Sequence, residues 1–307
     1  MRAQAHPRRA LTPTLAPGNW GRLLPDPLGS MIRSALMNVM TAAALKAGRG
    51  LKRDFGEVEN LQVSVKGPGD FVTAADKRAE KTLFEELSRA RPGYGFVMEE
   101  GGVVEGADKT HTWHIDPLDG TTNFLHGLPI FAISIGLERE GQLVAGLVYN
   151  PATDDLFIAE RGQGAWLNNT RLRVAARRNL ADALITCGIP PLNRAPGHAR
   201  FQDELAHVMR HAGNIRRLGS AALDLCFVAA GRCDAYWERG IMTWDMAAGI
   251  VLVREAGGFV TDADGGADMM ASGTICCGNE FIHRRLLDIL RETSLEKRIS
   301  VGSAARA

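Results

Sequence analysis

The sequence predicts a mixed α/β fold of two unlike halves, α+β over residues 31–175 and α/β over 176–295. Three observations predict it. Apolar runs at 130–138 and 143–149 flank Glu140-Gly141-Gln142, and runs at 156–159 and 165–167 flank Arg161-Gly162-Gln163-Gly164, giving two hairpin signals in one half. From about Ala175 onward, short apolar runs alternate with helical patterns, the mark of an α/β layer. With 307 residues, 45% of them hydrophobic, the chain is long enough to bury a large core in one domain or two.

In order along the chain, Met1 to Ser30 holds Pro7, Pro13, Pro17, Pro25 and Pro27 with several arginines and no helical or strand period. That composition predicts a disordered leader, with folded sequence starting near Met31. Residues 31–55 are rich in Ala, Leu and Met and end in basic residues, so they predict an amphipathic helix. A second helix is expected over 76–90, and a short buried strand over 112–115 that ends at Asp116. The two hairpins follow. In the second half the pattern gives strands at 184–186, 215–216, 235–237, 259–260 and 274–277. Helices are expected at 199–211, 220–230, 243–256 and 280–292, and residues 296–307 as a frayed tail.

Bulk properties exclude several classes. A net charge of +1 gives no general attraction to a polyanion, so nothing in the sequence supports a nucleic-acid partner or a transcription complex. Arg171, Arg173, Arg177 and Arg178 read as a solvated face. The five cysteines are odd in number and form no CxxC pair, which argues against a disulfide framework or structural zinc and for reduced thiols in a cytoplasmic protein. No apolar run approaches the roughly 18 residues that cross a bilayer.

The chemistry concentrates in Trp113-His114-Ile115-Asp116-Pro117-Leu118-Asp119-Gly120-Thr121-Thr122-Asn123-Phe124. An apolar strand ends in two aspartates, and two carboxylates there repel unless a cation lies between them. Oxygen-only ligands select a hard cation, Mg²⁺ first. Gly120 lets a ligand approach the backbone, and the Gly120 and Thr121 N–H groups at a helix start suit a phosphate. Carboxylates beside an anion cradle point to metal-assisted phosphoryl transfer. The bland alternative is a turn followed by a helix cap. His111, His114 and His126 read as structural, and Asp262-Ala263-Asp264-Gly265-Gly266 as an ordinary turn because it lacks the calcium-loop ligand pattern.

Four ordered segments then resemble the inositol monophosphatase family, within the lithium-sensitive, magnesium-dependent phosphatases. They are Asp70-Phe71-Val72-Thr73-Ala74-Ala75-Asp76, Met98-Glu99-Glu100-Gly101, Asp116 through Phe124, and Trp244-Asp245-Met246-Ala247-Ala248-Gly249 with Glu255-Ala256-Gly257-Gly258. The resemblance runs from about Met31 to Glu292 and implies a layered α-β-α-β-α sandwich, a homodimer and two or three Mg²⁺ per site. It implies metal ligation by Glu99, Asp116, the Leu118 carbonyl, Asp119 and Asp245. It gives Glu99, Thr121 and Asp76 the task of orienting the attacking water. It implies substrate contacts from Asp119, Gly120, Thr121, the Ala221 N–H and Glu238, and a mobile loop carrying Lys66. Each residue also has a plain structural reading: Asp245 as a helix cap, Asp76 as a first-turn acid, Glu238 as a salt-bridge partner near Arg239.

The implied activity is hydrolysis of a small soluble phosphate ester, myo-inositol 1-phosphate or a similar polyol phosphate. Histidinol phosphate, fructose 1,6-bisphosphate and 3′-phosphoadenosine 5′-phosphate are the alternatives on the same core. A different class of reading is a regulatory binding module of an RNA or transcription complex, and a weaker one is a metal-storage protein. No membrane partner is expected.

Overall fold

The structure is a computed structural model that describes residues 33–57, 63–67, 70–190 and 195–304, with the side chains of 63–67, 70–73, 195–196 and 294–304 left outside the description. The leader predicted over 1–30 lies outside the described residues, and so does the side chain of Lys66.

Helix α1 (Ala35–Phe55) starts at Ser34, whose hydroxyl accepts the Met37 N–H at 3.0 Å and so satisfies one of the orphan donors of the first turn. Strands β1 (Val63–Gly67) and β2 (Asp70–Thr73) form a small antiparallel hairpin before α2 (Ala74–Ala90). The large sheet holds β3 (Gly95–Met98), β4 (Gly102–Val104), β5 (His111–Asp119), β6 (Ala132–Arg139), β7 (Gln142–Asn150), β8 (Asp155–Glu160), β9 (Gly164–Leu167) and β10 (Thr170–Arg171). Its order is β10-β9-β8-β7-β6-β5-β3-β4, antiparallel except for the β3/β5 pair. A single turn of helix, α3 (Thr121–Leu125), leaves the end of β5.

The second sheet comprises β11 (Leu184–Cys187), β12 (Asn214–Arg216), β13 (Ala235–Arg239), β14 (Phe259–Thr261) and β15 (Thr274–Gly278), in the order β12-β11-β13-β15-β14. Strands β12, β11 and β13 run parallel; β15 runs antiparallel to both β13 and β14. Helices α5 (Ala221–Ala229) and α6 (Thr243–Glu255) lie between the two sheets, as nearly all-buried helices with no polar face should. Helices α1 and α2 cover the outer face of the large sheet. Helices α4 (Ala195–Met209) and α8 (Glu280–Ala304) cover the outer face of the small one, and α7 (Met269–Ser272) packs against β15. The layers therefore run α-β-α-β-α, as expected from the resemblance.

The middle layer depends on two glycines paired across β6 and β7, Gly136 and Gly146. A Cβ on Gly146 would lie 2.3 Å from the Ala248 carbonyl oxygen, and one on Gly136 would lie 2.6 Å from the Ala247 Cβ. Their bare backbone lets α6 lie directly on the sheet. The core around α5 and α6 includes Leu223, Leu225, Val228, Met246, Ile250, Leu252 and Tyr236.

Three expectations are corrected. The strand predicted to stop at Ile115 continues through Pro117 to Asp119, because Pro117 falls at an irregularity of the β5/β6 ladder where its missing N–H disrupts little. The tail predicted as frayed from residue 296 is helical through Ala304; no proline or glycine interrupts the sequence between Glu280 and Gly302. Strands β1 to β4 had no counterpart in the hydrophobic pattern. They are only three to five residues long, and Gly102–Val104 is exposed throughout, so no alternation could register.

Candidate active site

The bulge that ends β5 presents its two carboxylates side by side. Asp116 is 2% exposed and accepts the Leu118 N–H at 2.8 Å, so the turn through Pro117 is locked by the acid itself. Asp119 is held from the opposite side, at the start of α5. Its Oδ2 accepts the Ser220 hydroxyl at 2.5 Å and the Ala222 N–H at 2.7 Å. Asp245 arrives from the first turn of α6, where Oδ2 accepts the Met242 N–H at 2.7 Å. It is thus both a helix cap and a member of the cluster. One carboxylate oxygen from each of Asp116, Asp119 and Asp245 lies within 4.8 Å of the other two.

Such proximity is unfavourable for the bare protein. Burial, then the charges of Glu99, Asp119 and Asp245, hold Asp116 well above the usual carboxylate range. Burial, then Asp119, does the same to Asp245. Asp119 rises only to about 6, since burial is offset by the Ser220 hydroxyl and by the Ala222 and Ala221 N–H groups. Three acids so crowded, with only oxygen to offer, fit a hard divalent cation. Glu99, just beyond β3, stands outside the tight trio, but its charge reaches both Asp116 and Asp245. Parallel pairing sets it there: the Glu99 N–H donates to the Ile115 carbonyl at 3.3 Å, one residue before Asp116.

The expected supporting residues are also brought together. The Thr121 hydroxyl lies 3.3 Å from Asp76 Oδ1 and 3.0 Å from the Leu118 carbonyl oxygen, tying α2, the β5 bulge and α3 into one unit. Gly120 precedes α3 with φ +90°, and a Cβ there would lie 2.8 Å from the Ile130 carbonyl oxygen, so both conformation and space demand glycine. The Ala221 N–H, expected on substrate, helps to hold the Asp119 pKa down, while the backbone hydrogen bond to Asp119 comes from Ala222.

Glu238 lies on β13, with its carboxylate over Gly188, where a Cβ would fall within 1.8 Å of it. The Tyr236 hydroxyl donates to Oε2. Burial, followed by the Asp119 charge, raises Glu238 to about 7, and Tyr236 and Arg217 oppose the shift. The salt bridge with Arg239 does not form. Adjacent strand residues face opposite sides, and Arg239 turns to Glu204 at 2.8 Å and Asp264 at 3.1 Å.

Several contributors were given no bracing role in the sequence reading. Ser220 anchors Asp119; its signal was a serine at a helix start. Tyr236 anchors Glu238, two residues away on the same face of β13. Asn123 braces the signature loop, its Nδ2 donating to the Ile130 and Leu218 carbonyls at 2.8 Å each. Arg217 brings positive charge toward Asp119, Asp224 and Glu238. His111 and His114 make structural contacts, as read. His111 bonds Asp108 at 2.8 Å, and His114 reaches Thr243 and Glu138 at 3.1 Å each. The Asp262 loop closes on its own backbone, with Oδ1 accepting from Asp264 and Gly266.

An acidic trio at a strand end, facing the starts of two buried helices, defines a metal-dependent phosphatase of the layered α/β kind. The chain belongs to the inositol monophosphatase family, whose model matches residues 33–295. The family is metal-dependent, and the carboxylate cluster is present here. An inositol-1-monophosphatase of Mesorhizobium japonicum is 61% identical over 85% of this chain and 98% of its own. A protein of Vibrio cholerae named Nus factor SuhB is 42% identical over 84% of this chain and 96% of its own. The crystal structure of the extragenic suppressor protein suhB from Bartonella henselae superposes with a TM-score of 0.81 at 56% identity, covering 84% of this chain and 99% of that one.

Proposed function

We propose that the chain hydrolyses myo-inositol 1-phosphate, or a closely similar polyol phosphate, with Mg²⁺ held by Glu99, Asp116, the Leu118 carbonyl, Asp119 and Asp245. The observation that carries this reading is the trio of Asp116, Asp119 and Asp245 within 4.8 Å, with Glu238 close enough to feel the Asp119 charge. Two or three Mg²⁺ per site would supply water activation and stabilisation of charge on the phosphate and the leaving alkoxide.

The protein's own groups do the rest. Thr121, steadied by Asp76 and Leu118, orients the attacking water together with Glu99. The Gly120–Thr121 backbone at the start of α3 receives phosphate oxygens. Glu238, held by Tyr236, accepts a ring hydroxyl of the polyol, and Asp119 touches a second one. The Ala221 N–H contacts the ring. No side chain forms a phosphoenzyme; the five cysteines are buried, and burial pushes Cys187 and Cys233 up to about 12. All five are free thiols and no helix among the described residues is long and apolar enough to cross a membrane, which supports a cytoplasmic placement. A homodimer and lithium inhibition are part of the same reading, supported by membership of the family.

Turnover of myo-inositol 1-phosphate, histidinol phosphate, fructose 1,6-bisphosphate and 3′-phosphoadenosine 5′-phosphate, side by side with Mg²⁺, tests the substrate. Inositol phosphate should be hydrolysed best, and a hundredfold preference for another substrate overturns the choice. A second role in a transcription complex is favoured by the Vibrio cholerae relative's name. Affinity capture with an Asp119→Asn variant separates the two: transcription proteins retained by an inactive variant establish the second role, and an empty capture removes it.

A further inference from the structure

At the hairpin ends of the large sheet, Leu36, Arg91, Tyr94, His111, Leu137, Arg139, Val144, Glu160 and Arg161 line a cavity of about 500 Å³. It shares no residue with the carboxylate site. Three of its residues are arginines, and only one is an acid. None of these guanidiniums has a carboxylate partner among the described residues. Arg91 donates to the Ala90 carbonyl at 2.9 Å, Arg161 to the Gln142 side-chain oxygen, and Arg139 makes no side-chain hydrogen bond or ion pair among the described residues. Other arginines of the chain do find acids, among them Arg177 with Asp234, Arg200 and Arg239 with Glu204, and Arg78 with Asp54. The fourth basic group, His111, is taken by Asp108 at 2.8 Å and by stacking on Tyr94 with ring centres 4.2 Å apart.

Guanidiniums that line one recess without a carboxylate partner leave their charge available to an anion. Here they rim a recess with a floor of buried Leu137 and Val144, 2% and 7% exposed. Planar guanidiniums match phosphate oxygens two at a time. We propose that this cavity is a binding site for a phosphate-bearing anion, separate from the active site and held by Arg91, Arg139 and Arg161. The one acid, Glu160, lowers its affinity.

Calorimetric titration of the full-length protein with inorganic pyrophosphate, in EDTA so that no divalent ion recruits the anion to the carboxylate cluster, tests the site. Saturable binding that an Arg139→Gln/Arg161→Gln variant weakens at least ~10-fold is expected, since each substitution removes a charged hydrogen-bond donor. Glu160→Gln should tighten binding several-fold, an effect that a purely structural role of these residues does not produce. Both variants keep the parent's Mg²⁺-dependent turnover, which also shows that they fold. Equal affinity for parent and double variant, or no binding by either, overturns the proposal and leaves the active-site reading untouched.

Discussion

The Asp119 carboxylate is gripped by Ser220 and Ala222 at the start of α5, so its position depends on an element a hundred residues downstream. Asp119→Asn keeps the shape but gives up the charge, and turnover should fall by at least ~10³-fold, the scale of losing a charge-stabilising group. Near-normal turnover would refute its role. Ser220→Ala acts more subtly. The lost hydrogen bond favoured the charged form, so the Asp119 pKa moves up from about 6. The Mg²⁺ concentration for half-maximal activity should then rise several-fold at pH 6 and little at pH 8; equal shifts at both would show that Ser220 does not tune the acid.

Glu238 gives a stability prediction of fixed sign. Its carboxyl titrates at about 7 in the fold against an ordinary value of 4.5, so between those pH values the folded state holds more protons than the unfolded one. Its effect on stability is therefore neutral below about pH 4.5 and increasingly unfavourable up to about pH 7, by at most about 3 kcal/mol. Glu238→Gln should raise the urea midpoint of metal-free protein at pH 8 and leave it nearly unchanged at pH 4.5. A variant no more stable at pH 8 would mean that Glu238 is not held in a charge-averse setting.

At the scale of elements, α6 connects packing to chemistry. It carries Asp245 in its first turn and lies on Gly136 and Gly146 with no space for a Cβ. Gly146→Val must push the helix off the sheet, and overpacking of this kind costs typically 1–3 kcal/mol. Turnover should drop along with the urea midpoint, because Asp245 moves with the helix. A variant that loses stability but keeps its kcat would uncouple the two. The hairpins around Gly141 and Gly162 and the buried helices were legible in the sequence because turn residues and long apolar periods are local signals. Gly136 and Gly146 carried no such signal. Their meaning lies in a helix about a hundred residues later, which only the folded pairing reveals.

Over the whole molecule, the acids of the site were legible because short motifs held each one, although their meeting was not. Asp116 and Asp119 come from β5, Asp245 from α6, and Glu99 from the end of a strand that the pattern did not disclose. The braces Ser220, Tyr236 and Asn123 stayed hidden because each bonds to a partner fixed by tertiary packing. That convergence sets electrostatics against folding: burial and mutual repulsion raise Asp116 and Asp245, so the metal-free site opposes the compact state. A cation that binds only the folded chain reverses this, adding about 2.7 kcal/mol at a hundred times its Kd. Thermal unfolding should therefore rise by several degrees on adding Mg²⁺ to EDTA-treated protein. In Asp116→Asn the order inverts: the metal-free variant should melt above the metal-free parent, because one buried charge is gone, while Mg²⁺ adds little and turnover is lost. If Asp116→Asn instead melted below the metal-free parent and still gained the parent's full increment from Mg²⁺, Asp116 would be a structural acid, and the cation would have to sit elsewhere.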